Sequence, residues 1–480
     1  MSENQTGASE SRKVAILCAN NVQVDSRVRK IGRSAAQLGF EPLIIGISRS
    51  KLFEDTEFDG VRTILVDNSE QRFRHYSASH LNAFPWGLIA YRSKDQVEFK
   101  NLNLMAEYRA ITGMIAFGKV NLYRVYRYKC ASFVHKMRRM AKSKEYITYV
   151  KPNKVRYTLR RLRLKLSAGS RWAYYEPTLL DFSALMIPQL EKFGPDVIHA
   201  NDTATIVAAL VYKRRFPDTK IIYDVHEWVH GLPGLDPLKA DVYGAVQDRY
   251  IHGFDDVLTV SSKISELISE RYKIDATILE NLPWVDTNVN VVSIRNRIGL
   301  PIYVPLIVYS GWIAPERGLD TVLLGLKTLD SVHLAIVSNQ ELAAEKLVQA
   351  AKEIGVANRV HVVPYVNPSE IVSYLQTCTA GLIPLEHAPN HEISRITKFF
   401  EYANARIPIV CSDVKIMSDS ITELGIGEVF TAKNVDSFVH AVNCILQNPD
   451  HYTSRYTEEM LGEMKWQSKH ETLSALYLDR

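Results

Sequence analysis

Short, near-continuous apolar runs alternate with helical stretches along most of the chain, and this alternation predicts its elements. Residues 13–19 read as a buried strand, 20–25 as a polar loop, 26–38 as a helix stopped by Gly39, and 42–46 as the next strand. Strand, helix and apolar strand at this spacing form a βαβ unit, whose parallel strands are covered on both faces. The order returns at 196–200, 208–215 and 220–224, and again at 256–260, with a helix from 262 and a strand at 277–279. The second half starts afresh, with strands at 305–311, 332–337, 360–363, 380–384 and 407–411 and helices at 318–329, 341–354 and 398–405. Two doubly wound α/β domains are predicted, over 13–284 and 285–455. They meet near 284–300, where Asn281-Leu282-Pro283 and the polar residues 286–290 read as a linker. Residues 1–12 are expected to be a disordered start, and 456–480 a C-terminal helix able to cross back to the first domain. Ligands of such sheets bind beyond the C-terminal strand ends, so two facing sheets put the site in the cleft between them.

Residues 70–180 break the rhythm and are read as a helical insertion in the first domain. Between Lys119 and Arg171 stand seventeen Lys or Arg and one acid, Glu145, a local charge of +16 in a chain of +5. Tyr123, Tyr126, Cys130, Phe133, Met137 and Met140 fall at helical spacing. So do Val155, Leu159, Leu162 and Leu166, with Arg156, Arg160, Arg161, Arg163 and Lys165 around them. Basic amphipathic helices of this kind suit an anionic membrane surface. The competing reading is an insertion whose apolar stripes pack on the fold while its charges face water. Nucleic acid is not expected as a partner, since nothing else in the chain resembles a reading module.

With 480 residues, 46% of them apolar and 23% charged, the chain is that of a multidomain globular protein. Its five cysteines, at 18, 130, 378, 411 and 444, have neither metal-ligand spacing nor an even framework, which fits a reducing compartment. No apolar run approaches the roughly 18–20 residues of a membrane span, and the first residues lack the apolar core of a signal peptide. The expected location is the cytoplasm, with a peripheral position on the inner face of the cell membrane if the insertion binds lipid.

The chemistry concentrates in 394–413. Thr397 is read as the N-cap of a helix that carries Lys398 in its first turn and Glu401 one turn on. A helix start offers unpaired N–H groups and the positive end of a dipole, to which Lys398 adds a full charge, so it suits phosphate. A carboxylate one turn away suits a diol such as ribose. Together they are what a nucleotide site requires.

Several further segments share an order and spacing. They are Asp25-x-Arg27-Val28, Pro195 to Asp202, Tyr223-Asp224-Val225-His226-Glu227, Asp256 to Ser262, Glu280-Asn281-Leu282-Pro283, Ser310-Gly311-Trp312 through Arg317-Gly318-Leu319, and Thr397-Lys398-x-x-Glu401-Tyr402. In this arrangement the chain resembles the retaining GT-B glycosyltransferases of family GT4 over about 13–66 and 185–450. The resemblance implies two Rossmann-like domains facing across a cleft and a nucleotide-sugar donor, UDP- or GDP-linked, with neither cofactor nor metal. It also implies sugar transfer to a hydroxyl acceptor, and the basic insertion at 119–171 favours a glycan or lipid-linked one, in cell-envelope polysaccharide or glycolipid biosynthesis.

Site roles follow from the same resemblance. Arg317 and Lys398 match the basic pair on the donor diphosphate, and Glu401 matches the ribose carboxylate. His226 matches the histidine beside the transferred sugar, which it would hydrogen-bond and orient. Gly311, Glu392 and Thr397 complete the donor site, while Asn20, Asn21, Asp25 and Arg27 belong to the first loop, on the acceptor side. Retention with no identified nucleophile implies front-face attack. Three departures stand out. Asn20-Asn21 occupy the place of a glycine pair, where Asn tolerates positive φ. Trp312 stands where many relatives have Arg. Ile393 stands where a second Glu is usual, leaving the adjacent Glu392 in its stead. These departures keep a second reading open, a catalytically silent GT-B protein that binds glycan or scaffolds an assembly. A two-domain dehydrogenase is disfavoured because no Gly-x-Gly-x-x-Gly follows a strand.

Overall fold

The computed structural model describes residues 11–67 except 24, 49 and 51; positions 104, 107, 108, 111, 122–140, 158, 161, 162, 164–167, 169 and 172–176; and 178–479 except 232–235 and 287–290. The chain divides into two compact units, Met1–Ser69 with Phe182–Arg480, and Glu70–Asp181.

The first unit holds two sheets. Strands β1 (Lys13–Leu17), β2 (Glu41–Ile47), β3 (Glu54–Phe58), β4 (Val61–Val66), β5 (Val197–Asn201), β6 (Lys220–Val225), β7 (Asp256–Thr259) and β8 (Thr277–Ile278) form one of them, in the order β3-β4-β2-β1-β5-β6-β7-β8. All neighbours are parallel except β3 and β4. That hairpin turns through Asp59 and Gly60, both left-handed with φ 51° and 78°, the backbone that a two-residue turn between twisted strands requires. Glu54, Asp55 and Glu57 charge β3, so it has no apolar face for a sequence pattern to detect. This is how an edge strand avoids further pairing.

The second sheet comprises β9 (Leu306–Ser310), β10 (His333–Val337), β11 (Val360–Val363), β12 (Ala380–Ile383), β13 (Ile409–Ser412) and β14 (Gly427–Phe430). Its order is β11-β10-β9-β12-β13-β14, all parallel. In each sheet the order reverses beside the first strand, between β1 and β5 and between β9 and β12. Those are the switch points where crossovers leave on opposite faces and a crevice opens.

The chain returns to the first sheet at its end. Trp466, fully buried, donates from Nε1 to Ser34 Oγ (2.8 Å), and its backbone N–H bonds the Pro283 carbonyl (2.8 Å). Helix His470–Leu478 follows, and its buried Tyr477 packs edge-on against Phe40. One apolar cluster runs from Ile16 and Ile31 through Leu282 and Trp284 to Phe399, Trp466 and Tyr477. Truncating a buried Trp costs about 3–5 kcal/mol, so this crossover fastens the two sheets firmly. Among the described residues no helix is long and apolar enough to cross a membrane.

In the second unit, helix Leu122–Met140 joins residues of the first predicted stripe into one element. Tyr123, Tyr126 and Phe133 are 69%, 66% and 64% exposed, so this part of the stripe faces solvent. The side chains of Met137 and Met140 lie outside the described residues. Most of the second predicted helix does too, although its Leu162 and Leu166 are exposed.

Candidate active site

On the second sheet, glycines decide how closely the key elements approach. Gly381 lies in β12, where a Cβ would fall 2.3 Å from the Tyr402 ring, so only glycine lets helix Thr397–Asn404 settle against the strand. The Tyr402 hydroxyl then accepts the Ser310 N–H (3.1 Å) and faces the Val308 and Leu382 carbonyls at 3.3 Å. This brings the helix start to the end of β9, where Gly311 (φ 131°) turns the chain and donates to the Val337 carbonyl (2.8 Å). A Cβ on Gly311 would lie 2.4 Å from both Cε and Nζ of Lys398. Gly318 (φ 66°) ends the Pro315–Arg317 turn, and a Cβ there would meet the Pro384 carbonyl at 1.8 Å.

Arg317, Lys398 and Glu401 converge on this spot. Arg317 Nε is buried without a hydrogen-bond partner. Lys398 is half-buried, 6.0 Å above the Tyr309 ring centroid. Burial lowers its ammonium to about 8, Glu401 working against the shift and Arg317 with it. Burial raises the Glu401 carboxyl, and Lys398 and Lys30 pull it back. Among the described residues neither Glu401 nor Lys398 makes a side-chain hydrogen bond, so two opposite charges and a guanidinium edge are uncommitted together.

One expectation needs correction here. Thr397 is the first residue of its helix and not the cap. Ile396 takes that position with extended backbone (φ −77°, ψ 157°), and since Ile has no acceptor, no side chain caps the helix. The Phe399 N–H bonds the Ile396 carbonyl (3.0 Å), and among the described residues the Thr397 and Lys398 N–H groups are left for another partner. Glu392 is not brought to Lys398 and Glu401 by any hydrogen bond. Its carboxylate is occupied by His387 Nδ1 (2.6 Å) and the Lys415 N–H (2.7 Å).

On the first sheet, the loop after β1 holds itself. Asn20 donates to Asp25 Oδ2 (2.6 Å) and accepts the Val22 N–H (2.8 Å), and Asp25 caps helix Ser26–Gln37 by accepting from Val28 (3.1 Å). Positive φ falls on neither asparagine but on Val22 (62°). Its buried side chain seats over Gly46, where a Cβ would be 2.6 Å from Cγ2, and that packing offsets the backbone strain. Asn21 is buried with Oδ1 unpartnered. Arg27 is 2% exposed, and its donors go to Asp224 in a two-bond fork (2.8 Å each) and to the Leu279 carbonyl.

Asp224 holds His226. The imidazole stands at the end of β6 with Nδ1 3.2 Å from Asp202 Oδ2 and Nε2 3.1 Å from Asn201 Oδ1 and 3.4 Å from Asp224 Oδ2. Burial opposes its charge, but Asp202 and Asp224 outweigh it and raise the ring to about 10. Asp224 stays well below the carboxylate range. Burial would raise it, and Arg27, His226 and His199 overcome that.

Sequence reasoning did not single out Asp202, Asp224 or Glu227 as site residues. Asp202 has φ 61° and ψ 166°, a conformation nearly confined to glycine, with its side chain 55% exposed beside His226. Burial and Asp202 raise the Glu227 carboxyl, while His226 and Arg317 lower it, so Glu227 lies where the two halves of the site meet. The available signal was position, since all three stand at or just past the ends of β5 and β6. Among the described residues no group of three or more His, Cys, Asp or Glu is placed to hold a metal ion.

Comparison with known proteins finds two family models, "Glycosyl transferase 4-like domain" over residues 134–282 and "Glycosyl transferases group 1" over residues 293–460. No curated protein matches. Among solved structures, sucrose-phosphate synthase from Thermosynechococcus elongatus is similar, with a TM-score of 0.63 at 13% identity over 97% of this chain and 98% of that one. Anabaena HepE in complex with UDP and glucose gives 0.55 at 10% over 96% and 98%. WaaG, a glycosyltransferase involved in lipopolysaccharide biosynthesis, gives 0.54 at 11% over 97% and 100%. These likenesses speak for the fold, and the two family models speak for the sequence on both sides of the cleft. The chain belongs to the group 1, GT4-type glycosyltransferases of the GT-B fold.

Proposed function

We propose that the enzyme transfers a sugar from a UDP- or GDP-linked donor, bound mainly by the second sheet, to a hydroxyl of a glycan or lipid-linked acceptor on the first, with retention at the anomeric carbon and without a metal. The observation that carries this reading is Lys398 lodged against Gly311 beside the unpartnered Nε of Arg317, with the uncommitted carboxylate of Glu401 one helical turn on. Two cations and the open helix start answer a diphosphate, and the carboxylate answers a ribose diol. HepE, whose structure holds UDP and glucose, shares the fold and lends support.

As the bond from C1 to the diphosphate oxygen breaks, its electron pair leaves with the nucleoside diphosphate. Arg317 and Lys398 offset the growing charge, the largest kind of contribution a fixed site makes. The acceptor oxygen attacks C1 from the same face, and its proton passes to the departing diphosphate oxygen. His226, charged and held at both ring nitrogens, is fitted to orient the sugar and not to remove a proton.

An envelope glycan or glycolipid acceptor is the favoured class. Its support is the exposed stripe Tyr123, Tyr126 and Phe133 beside exposed Arg127, Lys129 and Lys136, a face suited to anionic lipid at about 1 kcal/mol per basic side chain at the headgroups. The likeness to WaaG agrees. Incubation with a nucleotide-sugar panel and an envelope-glycan acceptor, with the product anomer read by NMR, tests the reading. Transfer with inversion would refute retention, and no transfer from any donor would refute the donor assignment. Flotation with anionic vesicles at low salt tests the membrane face, which fails if the protein stays in the aqueous fraction.

A further inference from the structure

The interior of the first sheet holds a chain of polar groups that the proposed reaction does not use. Tyr477, fully buried on helix His470–Leu478, has its hydroxyl 2.8 Å from His199 Nδ1. His199, also fully buried, has Nε2 3.1 Å from Asp224 Oδ2. Asp224 joins Arg27 on one side and His226 on the other. Of these five groups only His226 reaches the cleft, with a side-chain exposure of 16% against 0–2% for the three charged or titratable partners beside it. The last member of the chain comes from the far end of the sequence.

Hydrogen-bond directions fix the protons. Asn201 Nδ2 donates to the Leu17 carbonyl (3.0 Å) and the His199 carbonyl (3.4 Å), so Oδ1 is the atom that faces His226 Nε2 and it can only accept. The Asp202 carboxylate at Nδ1 can only accept as well. Both ring nitrogens of His226 therefore donate, and the ring is an imidazolium. His199 must point Nε2–H at the Asp224 carboxylate, which leaves Nδ1 bare and requires the Tyr477 hydroxyl to donate to it. Without that hydroxyl the opposite tautomer becomes available, and it would set a lone pair against Asp224.

We propose that Tyr477 and His199 are positioning residues for His226: the tyrosine, delivered by the C-terminal crossover, fixes the His199 tautomer, which aligns Asp224 to hold His226 as a cation facing the cleft. The groups that bear on His226 come from four elements: Asn201, Asp202 and His199 at the end of β5, Asp224 and Glu227 at the end of β6, Arg27 on helix Ser26–Gln37, and Tyr477 on the last helix. The carboxylates outnumber the cations, in keeping with the raised value of this ring. The use made of the charge rests on the glycosyltransferase reading, but the charge itself does not.

The test is NMR of the full chain labelled with 15N-histidine, the His226 signals being assigned by their loss in His226→Gln. In the wild type both ring nitrogens of His226 stay protonated from about pH 6 to pH 9, across the range where an ordinary histidine titrates. Tyr477→Phe keeps the ring and its packing, and brings the titration of His226 down into that range. His199→Leu cuts the same chain one residue nearer and gives the same shift, so the test stands if Tyr477→Phe does not fold. A wild-type His226 that is neutral at pH 7 would overturn the proposal, as would folded variants in which it titrates as in the wild type. Lack of transfer activity with every nucleotide sugar would refute the enzyme reading and leave this result untouched.

Discussion

The ammonium of Lys398 occupies the place that a side chain at residue 311 would need: a Cβ built on Gly311 falls 2.4 Å from both Cε and Nζ of Lys398. The glycine at the end of β9 and the lysine at the start of helix Thr397–Asn404 are thus one device, and Gly311→Ala should break it. The added methyl must displace Lys398, and the backbone at φ 131° disfavours any residue but glycine. We expect turnover to fall by about 10²-fold, the scale of losing one fixed charge at a developing anion, and stability to fall by only about 1–3 kcal/mol. Steady-state kinetics with a thermal melt would check this, and an active, correctly folded variant would contradict it.

Arg317→Ala and Lys398→Ala should each lower kcat by about 10²-fold or more while leaving the fold intact. Arg317 Nε forms no hydrogen bond whose loss would matter to stability. Circular dichroism and kinetics on both variants separate the two effects, and wild-type rates in either would remove that residue from the diphosphate site.

Binding of nucleoside diphosphate should weaken as pH rises through about 8, the value to which burial lowers Lys398. Above it the ammonium is lost and with it one charge on the ligand. The stability effect runs the other way. The folded value lies below the unfolded 10.5, so charging this lysine costs stability at neutral pH. That cost is relieved as pH rises from about 8 towards 10.5. Affinity measured from pH 6.5 to 9.5 in the wild type and in Lys398→Ala checks the first statement, and a wild-type affinity independent of pH, or one whose fall persists in Lys398→Ala, would contradict it.

Arg27→Met should unfold the protein more readily, by about 3–5 kcal/mol, because it leaves the Asp224 carboxylate buried without its main counter-ion. Asp224 has its pKa depressed in the fold, so its contribution is present above the ordinary carboxylate value and is lost as pH falls below it. Chemical denaturation at pH 7 and at about pH 3, below the ordinary carboxylate value of 3.8, should show the gap between wild type and variant narrowing at the lower pH.

The legibility of the site in the sequence follows from how local each feature is. Strands such as β1 and β9 are near-continuous apolar runs and announce themselves, whereas β3 is charged at an edge and does not. Lys398 and Glu401 sit one helical turn apart, so their pairing is visible in the chain. Arg317 lies far from both in sequence and joins them through the resemblance to known glycosyltransferases. The Tyr477–His199 contact spans 278 positions and leaves no local pattern. The left-handed turn was expected on Asn20 or Asn21 and fell on Val22, because burial of the Val22 side chain over Gly46 outweighs its intrinsic preference. The N-cap position expected at Thr397 falls on Ile396, whose side chain cannot cap, since helix starts shift by a residue without altering the apolar pattern.

Calorimetric titration of UDP and GDP into the wild type and into Glu401→Gln tests the central claim, that Arg317, Lys398 and Glu401 form a nucleoside diphosphate site. One of the two nucleotides should bind the wild type. The substitution removes hydrogen bonds to a charged group, worth about 1.5–3 kcal/mol, and so should weaken binding about tenfold to a hundredfold. Binding of equal strength to both proteins, or no binding of either nucleotide to the wild type, would contradict the account.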